Sequence, residues 1–180
     1  AIWVASRRGL FRFFDGRWTL VGDEEGYPGA EALSLFEDRA GRLWAGTAAG
    51  IYRRTDGAFE LVDETARTVQ SFAEDEQGGI GVTDPNRLAY RLFARERPRP
   101  DPAVRLPAGG WRLLHDRRGQ IWIAASGGGL LRIADATAPS PVIERFAYEH
   151  RLAGSPRALY QDAEDNIWLG MRGGLLRLSG

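Results

Sequence analysis

The stretch EDRAGRLWAGTAAGIYRRTDG, from Glu37 to Gly57, decides how the rest of the chain is read. It holds an acidic residue, Asp38, a short turn closed by Gly41, the aliphatic-Trp pair Leu43-Trp44, a small-residue turn ending at Gly50, and the apolar-x-Arg unit Ile51-Tyr52-Arg53. The same order of parts returns along the chain. Its acidic anchor recurs as Asp75, Asp116 and Asp162, at separations of 37, 41 and 46 residues. Six residues after the anchor stands Trp44, Trp122 or Trp168, and in the second repeat Gly81. The residue before that slot is Leu43, Ile80, Ile121 or Ile167, always aliphatic. Gly50, Gly129 and Gly174 each open an apolar-x-Arg unit ending at Arg53, Arg132 or Arg177. The first residues keep the pattern without an anchor, as Ile2-Trp3 followed by Gly9-Leu10-Phe11-Arg12. A period of about 41 residues held at several positions marks an internal repeat.

Each repeat breaks into short apolar segments between turn residues. Ala32-Leu33-Ser34-Leu35-Phe36, Val69-Gln70-Ser71-Phe72 and Trp111-Arg112-Leu113-Leu114 read as first strands. The anchor turns follow, as Asp-Arg-Ala-Gly at 38–41, Asp-Arg-Arg-Gly at 116–119 and Asp-Ala-Glu-Asp-Asn at 162–166. There Asp takes backbone amides two residues on, and Gly or Asn takes the positive φ. Leu43-Trp44-Ala45-Gly46 is then a second strand, Ile51-Tyr52-Arg53 a third and Phe59-Glu60-Leu61-Val62 a fourth. Four antiparallel strands per repeat predict an all-β chain, a β-propeller fragment or arc of about 4–5 four-stranded antiparallel blades. Sandwiches and barrels also space strands by about 8–12 residues, but they have no need of a recurring turn-and-Trp register. Residues 1–180 read as a single propeller region with units at approximately 1–30 (partial), 31–66, 67–108, 109–154 and 155–180 (partial). The terminal strands duplicate one another's places in the blade, which predicts an arc, or an assembly whose copies complete one another through open blade edges. Pro98, Pro100, Pro102 and Pro107 read as an extended outer strand or long connection within the third unit, with a domain boundary as the alternative.

Composition narrows the function classes. Twenty-four basic and 24 acidic residues cancel, so no overall field draws the chain to nucleic acid or an anionic membrane. No apolar run approaches the roughly 20 residues of a membrane-spanning helix, and Ala1-Ile2-Trp3 does not resemble a signal peptide. With no Cys, disulfides, thiol catalysis and Cys-zinc sites are excluded. Gly at 23 residues and Trp at 6 suit a turn-rich β protein.

The string Asp38, Gly41, Leu43, Trp44, Gly46, Thr47, Gly50, Ile51, Arg53 resembles the two-component regulator propeller repeat. The resemblance covers nearly the whole chain at five repeat starts. It departs where Gly81 and Arg87 replace Trp and Gly, and where Ala125 replaces Thr. It implies a ligand-sensing, periplasmic β-propeller of a bacterial membrane receptor that signals to histidine kinase or diguanylate cyclase modules. A protein-interaction scaffold and a propeller lyase or hydrolase are the alternatives, since a fold does not fix a function.

Conspicuous residues mostly read as construction. Trp3, Trp44, Trp122 and Trp168, one per blade at one position, are expected to pack blade against blade. Asp38, Asp75, Asp116 and Asp162 are expected to form turns. Only Asp162, Glu164 and Asp165 approach the alternate carboxylates of a calcium loop, and no metal is expected. The repeated Arg12, Arg53, Arg132 and Arg177 are expected on outer strands beside carboxylates, and His115 and His150 lack a zinc pattern. No catalytic group and no cofactor is expected. In a four-strand meander the loops from strand two to three share a rim with the inter-blade connections, which makes Arg7, Arg8, Tyr27, Asn86, Arg87 and Arg172 the candidate ligand-binding residues. Their arginines favour an anionic small molecule or glycan, with a sugar stacked on Tyr27.

Overall fold

The computed structural model describes residues 1–93, 103–127, 129–147 and 156–179. Pro98, Pro100, Pro102 and His150 lie outside the described residues. Two compact units divide the chain, Ala1–Ser71 and Phe72–Gly180. Among the described residues no helix is long and apolar enough to cross a membrane.

The first unit holds β1 (Ile2–Ser6), β2 (Gly9–Phe14), β3 (Arg17–Leu20), β4 (Ala32–Glu37), β5 (Leu43–Thr47), β6 (Ile51–Thr55) and β7 (Ala58–Asp63), with a 3-10 turn at Asp23–Glu25 between β3 and β4. β1, β2 and β3 make one sheet, and β4 to β7 make a second, each in sequence order. The second unit holds β8 (Ser71–Glu74), which opens on the boundary residue, then β9 (Ile80–Asp84), β10 (Ala89–Phe93), β11 (Val104–Arg105), β12 (Gly110–His115), β13 (Ile121–Ala125), β14 (Gly129–Ile133), β15 (Ile143–Ala147), β16 (Pro156–Gln161), β17 (Ile167–Met171) and β18 (Gly174–Leu178). These form sheets β8 to β11, β12 to β15 and β16 to β18. The chain is all-β, with five antiparallel sheets of three or four strands among the described residues.

Sequence dictates these strands in a consistent way. The second strands Leu43–Thr47, Ile80–Asp84 and Ile121–Ala125 are buried at every residue, so they read as small or apolar runs without alternation, interrupted by polar groups only at Thr47, Thr83 and Asp84. The first strands Ala32–Glu37, Gly110–His115 and Pro156–Gln161 share one irregularity, a register shift after their first residue that leaves Leu33, Trp111 and Arg157 without a partner across the ladder. A bulge repeated at one place in three sheets bends each strand there in the same way.

Packing between sheets makes the core. In the first unit Leu10, Val21, Tyr27, Ala32, Leu43, Ala45, Tyr52 and Phe59 cluster where β1–β3 meets β4–β7. In the second unit Tyr90, Leu113, Ile121, Ile123, Leu131 and Ile133 join β8–β11 to β12–β15. Trp122, Ala124, Leu130, Ile167, Leu169 and Met171 join β12–β15 to β16–β18. Each such Leu or Ile taken from water stabilises by about 1.5–3 kcal/mol, so the seams between sheets carry much of the stability.

Candidate functional site

The repeated residues engage one another first. Asp38 Oδ1 accepts the amides of Ala40 at 3.0 Å and Arg42 at 2.9 Å, while the Trp44 indole Nε1 donates to Asp38 Oδ2 at 2.8 Å. Asp116 repeats this with the amides of Arg118 and Gln120 and with Trp122 Nε1 at 2.7 Å. Asp162 does so with Glu164, Asn166 and Trp168 Nε1 at 2.6 Å. Each carboxylate thus closes the turn with one oxygen and pins the indole of the next strand with the other. Asp162, whose neighbours come nearest to a calcium loop, spends its oxygens on the turn and the indole. In that turn the positive φ of 65° falls on Asp165, three residues after the anchor as Gly41 and Gly119 are, and not on Asn166.

The ring of each repeated Trp carries the repeated arginine over it. Register sets Trp3 across from Arg12, Trp44 from Arg53, Trp122 from Arg132 and Trp168 from Arg177. The guanidinium carbons lie 5.7, 5.5, 5.6 and 5.9 Å from the respective ring centroids. Arg12 also pairs with Glu25 at 2.9 Å, Arg53 with Glu60 and Arg132 with Glu144. Asp, Trp and Arg form one such stack in each of the sheets β4–β7, β12–β15 and β16–β18, with their groups turned on one another, while β1–β3 holds the Trp3–Arg12 pair.

Gly81 stands where the second repeat lacks Trp, and a different pair fills the space. A Cβ on Gly81 would meet His115 Nε2 at 2.6 Å and Tyr90 Cε2 at 3.0 Å. Tyr90 Oη and His115 Nε2 are hydrogen-bonded at 3.0 Å. Burial holds the His115 imidazole below its ordinary pKa, and the Asp75 and Asp116 carboxylates offset that only in part. The sequence signal for this pair was the vacancy at Gly81, but nothing in the repeat said that the next sheet's first strand would fill it.

The candidate ligand residues fall in two groups. Arg7 and Arg8 are exposed in the β1–β2 turn, where Arg7 Nε lies 4.0 Å from Glu31 and the Arg8 amide donates to Ser6 Oγ. In the second unit Asn86 and Arg87 are exposed in the β9–β10 turn, their amides held by Asp84 Oδ1 at 3.1 Å each. Arg172 is exposed in the β17–β18 turn. Tyr27 corrects the expectation of a sugar-stacking ring. It is fully buried in the core of the first unit, edge-on to Tyr52 and Phe59, and its hydroxyl donates to the Ala30 carbonyl at 2.8 Å. Burial first, then Tyr52, pushes its pKa up to about 12. Its place after Gly26 in an inter-sheet connection looked exposed, yet the connection folds inward because the ring completes the core.

One cavity of about 170 Å³ lies in the second unit between β12–β15 and β16–β18. Arg118, Gln120, Trp122, Arg132, Phe146 and Gln161 are among the residues on its wall. None of these was singled out as a ligand contact from the sequence, because the cavity is made by two sheets facing each other.

Residues 26–49 match the two component regulator propeller family. That match overlaps the Asp38-to-Arg53 string on which the resemblance rests. Solved structures similar to the chain are β-propeller proteins, and the chain has a β-propeller fold. The extracellular domain of a one component system from B. thetaiotaomicron is 19% identical, with a TM-score of 0.77 over 98% of this chain and 28% of that one. The extracellular domain of a hybrid two component system from the same organism is 16% identical, with a TM-score of 0.71 over 98% and 27%. A catalytically inactive His→Ala variant of virginiamycin B lyase from Staphylococcus aureus, with quinupristin, is 16% identical, with a TM-score of 0.74 over 97% and 60%. This chain therefore spans from about a quarter to three-fifths of the length of these proteins. No curated protein matches it in sequence.

Proposed function

We propose that the chain is a non-catalytic ligand-sensing or interaction part of a β-propeller from the extracytoplasmic, periplasmic side of a bacterial two-component or diguanylate-cyclase-type receptor. The observation that carries this reading is the closed Asp-Trp-Arg stack: the most reactive-looking repeated residues are engaged in construction, which leaves variable loops for recognition. The repeat match at 26–49 and the similarity to two extracellular receptor domains support it. The ligand is a small molecule or glycan, and the exposed Arg7, Arg8, Arg87 and Arg172 favour an anionic one.

A thermal-shift screen of sugar acids and small glycans, run beside product analysis of every hit, tests the proposal. A ligand at about 100 times its Kd stabilises the fold by about 2.7 kcal/mol, which is a readable shift in Tm. Stabilisation with the ligand recovered intact is the expected result, and conversion of a hit to product would overturn it.

The similarity to virginiamycin B lyase favours a second reading, a lyase or hydrolase. Among the described residues the imidazole available for acid-base work is that of His115, and it is held between Tyr90 and the Gly81 backbone. That placement favours the sensing reading, because a general base must reach its substrate proton.

A further inference from the structure

The two units solve one packing problem in different ways. In the first, the seam between β1–β3 and β4–β7 holds a carboxylate of the chain itself. Glu25 Oε2 accepts from Arg12 Nη1 at 2.9 Å and from Arg54 Nη2 at 3.4 Å, and its side chain is only 15% exposed. Both guanidinium groups lie over Trp3, at 5.7 and 5.1 Å from its ring centroid. The seam is therefore a carboxylate clamped by two arginines beside a Trp ring.

The seam between β12–β15 and β16–β18 has the same frame. Arg132 stands over Trp122 as Arg12 stands over Trp3, and both are set by the same register across the second and third strands. Arg54 faces Leu43 in the first unit, and Leu178 faces Ile167 at the matching register in the second. The shorter Leu178 helps to line the cavity of about 170 Å³, next to Trp122 and Arg132.

Hydrogen bonding gives this cavity a sign. Its two wall carboxylates are satisfied: Asp116 takes Trp122 and two amides, and Asp165 takes Arg117 Nη1 at 2.6 Å and Gln161 Nε2 at 3.1 Å. One buried donor lacks an acceptor, and a second, exposed guanidinium lies on the wall. Arg132 Nη2 is paired with Glu144, but its Nε is buried without an acceptor. Among the described residues the Arg118 guanidinium has no carboxylate partner, and only its backbone amide is engaged, by Asp116. A buried guanidinium N–H without an acceptor costs free energy, which an incoming anionic oxygen recovers. Phe146 and Leu178 supply an apolar wall beside these donors.

We propose that this seam binds a small aliphatic carboxylate, whose anionic end meets Arg118 and Arg132 Nε as Glu25 meets Arg12 and Arg54, and whose carbon chain lies on Phe146 and Leu178. The site is separate from the β1–β2, β9–β10 and β17–β18 turns, so its failure leaves the sensing proposal standing. Sodium propionate is the probe, and the indole N–H resonance of Trp122, assigned by Trp122→Phe, is the readout. Propionate shifts that resonance saturably, and sodium chloride at equal ionic strength does not. Arg118→Gln weakens the response at least about tenfold, as expected for loss of a charge-assisted bond. Leu178→Trp fills the cavity with an apolar ring that offers no anion a partner, and abolishes the response while the spectrum stays dispersed. A response that is linear, reproduced by chloride or retained in Leu178→Trp overturns the proposal.

Discussion

The Trp122 indole donates to the Asp116 carboxylate six residues earlier, at 2.7 Å, and the same carboxylate receives the amides of Arg118 and Gln120. One side chain thus fixes both a hairpin turn and the ring that fills the seam beside it. Trp122 is 5% exposed, so its N–H has little access to water if Asp116 is removed. Asp116→Ala is expected to destabilise by at least about 1–3 kcal/mol for the stranded indole alone, and Asp116→Asn, which keeps an acceptor, by less. Urea unfolding midpoints measure both. A loss of under about 0.5 kcal/mol in Asp116→Ala, the range of inert surface changes, would remove the strap from the account of stability.

Acid should loosen the straps at Asp38 and Asp162. Burial works against the Asp38 carboxylate, but the hydrogen bonds from Trp44 and Arg42 and the Arg42 charge outweigh it and hold its pKa below the usual range. For Asp162 the Trp168 hydrogen bond is the largest cause of a similar depression. Folded values below the unfolded value of about 3.9 mean that the unfolded chain binds more protons between them. The contribution is complete above about pH 4 and is lost as pH falls through the folded values. Asp38→Asn/Asp162→Asn should flatten stability below pH 4, read from thermal melts, and an unchanged slope would refute the linkage.

His115 gives a second pH window. Its pKa is lowered by burial, so between that value and the unfolded value of about 6.5 the unfolded chain takes the proton. Stability therefore falls as pH drops below about 6.5, well above the Asp window. His115→Gln should reduce the slope of Tm between pH 7 and pH 5. Equal slopes in the two proteins would show that His115 is solvated.

Gly81 tests how the irregular repeat is packed. Gly81→Trp restores the residue of the other repeats but drives a side chain into His115 and Tyr90, with a cost of about 1–3 kcal/mol. Removing the obstruction in His115→Ala/Gly81→Trp should recover part of that loss, because the two sites are in contact. Additive losses, measured by chemical denaturation in a double-mutant cycle, would count against the exchange of Trp for the Tyr90–His115 pair.

Tyr27 separates packing from recognition. Tyr27→Phe loses the bond to the Ala30 carbonyl, about 1 kcal/mol, and Tyr27→Ala opens a core cavity costing about 3–5 kcal/mol. Any sugar ligand found in the screen should bind Tyr27→Phe with unchanged affinity by calorimetry. A loss of affinity without loss of stability would return Tyr27 to the recognition surface.

What the sequence determined by itself was local and periodic. Asp38, Gly41, Leu43, Trp44, Gly50 and Arg53 specify a turn, a buried strand and a following strand through interactions a few residues long, so their recurrence was enough to read out the sheets and the strand order. The even spacing of Asp and Trp also placed both partners of the indole bond, although the bond itself became visible only with coordinates. Tertiary structure decided whatever depends on which sheet faces which. It turned Tyr27 inward, brought His115 from β12 into the vacancy at Gly81, and set Leu178 where Arg54 stands in the first unit, which leaves a cavity beside Arg132. The physical reason is one of range. Turn and strand signals are carried by neighbouring residues, whereas burial, an unsatisfied guanidinium N–H and a cavity arise between surfaces whose residues lie tens of positions apart in the chain.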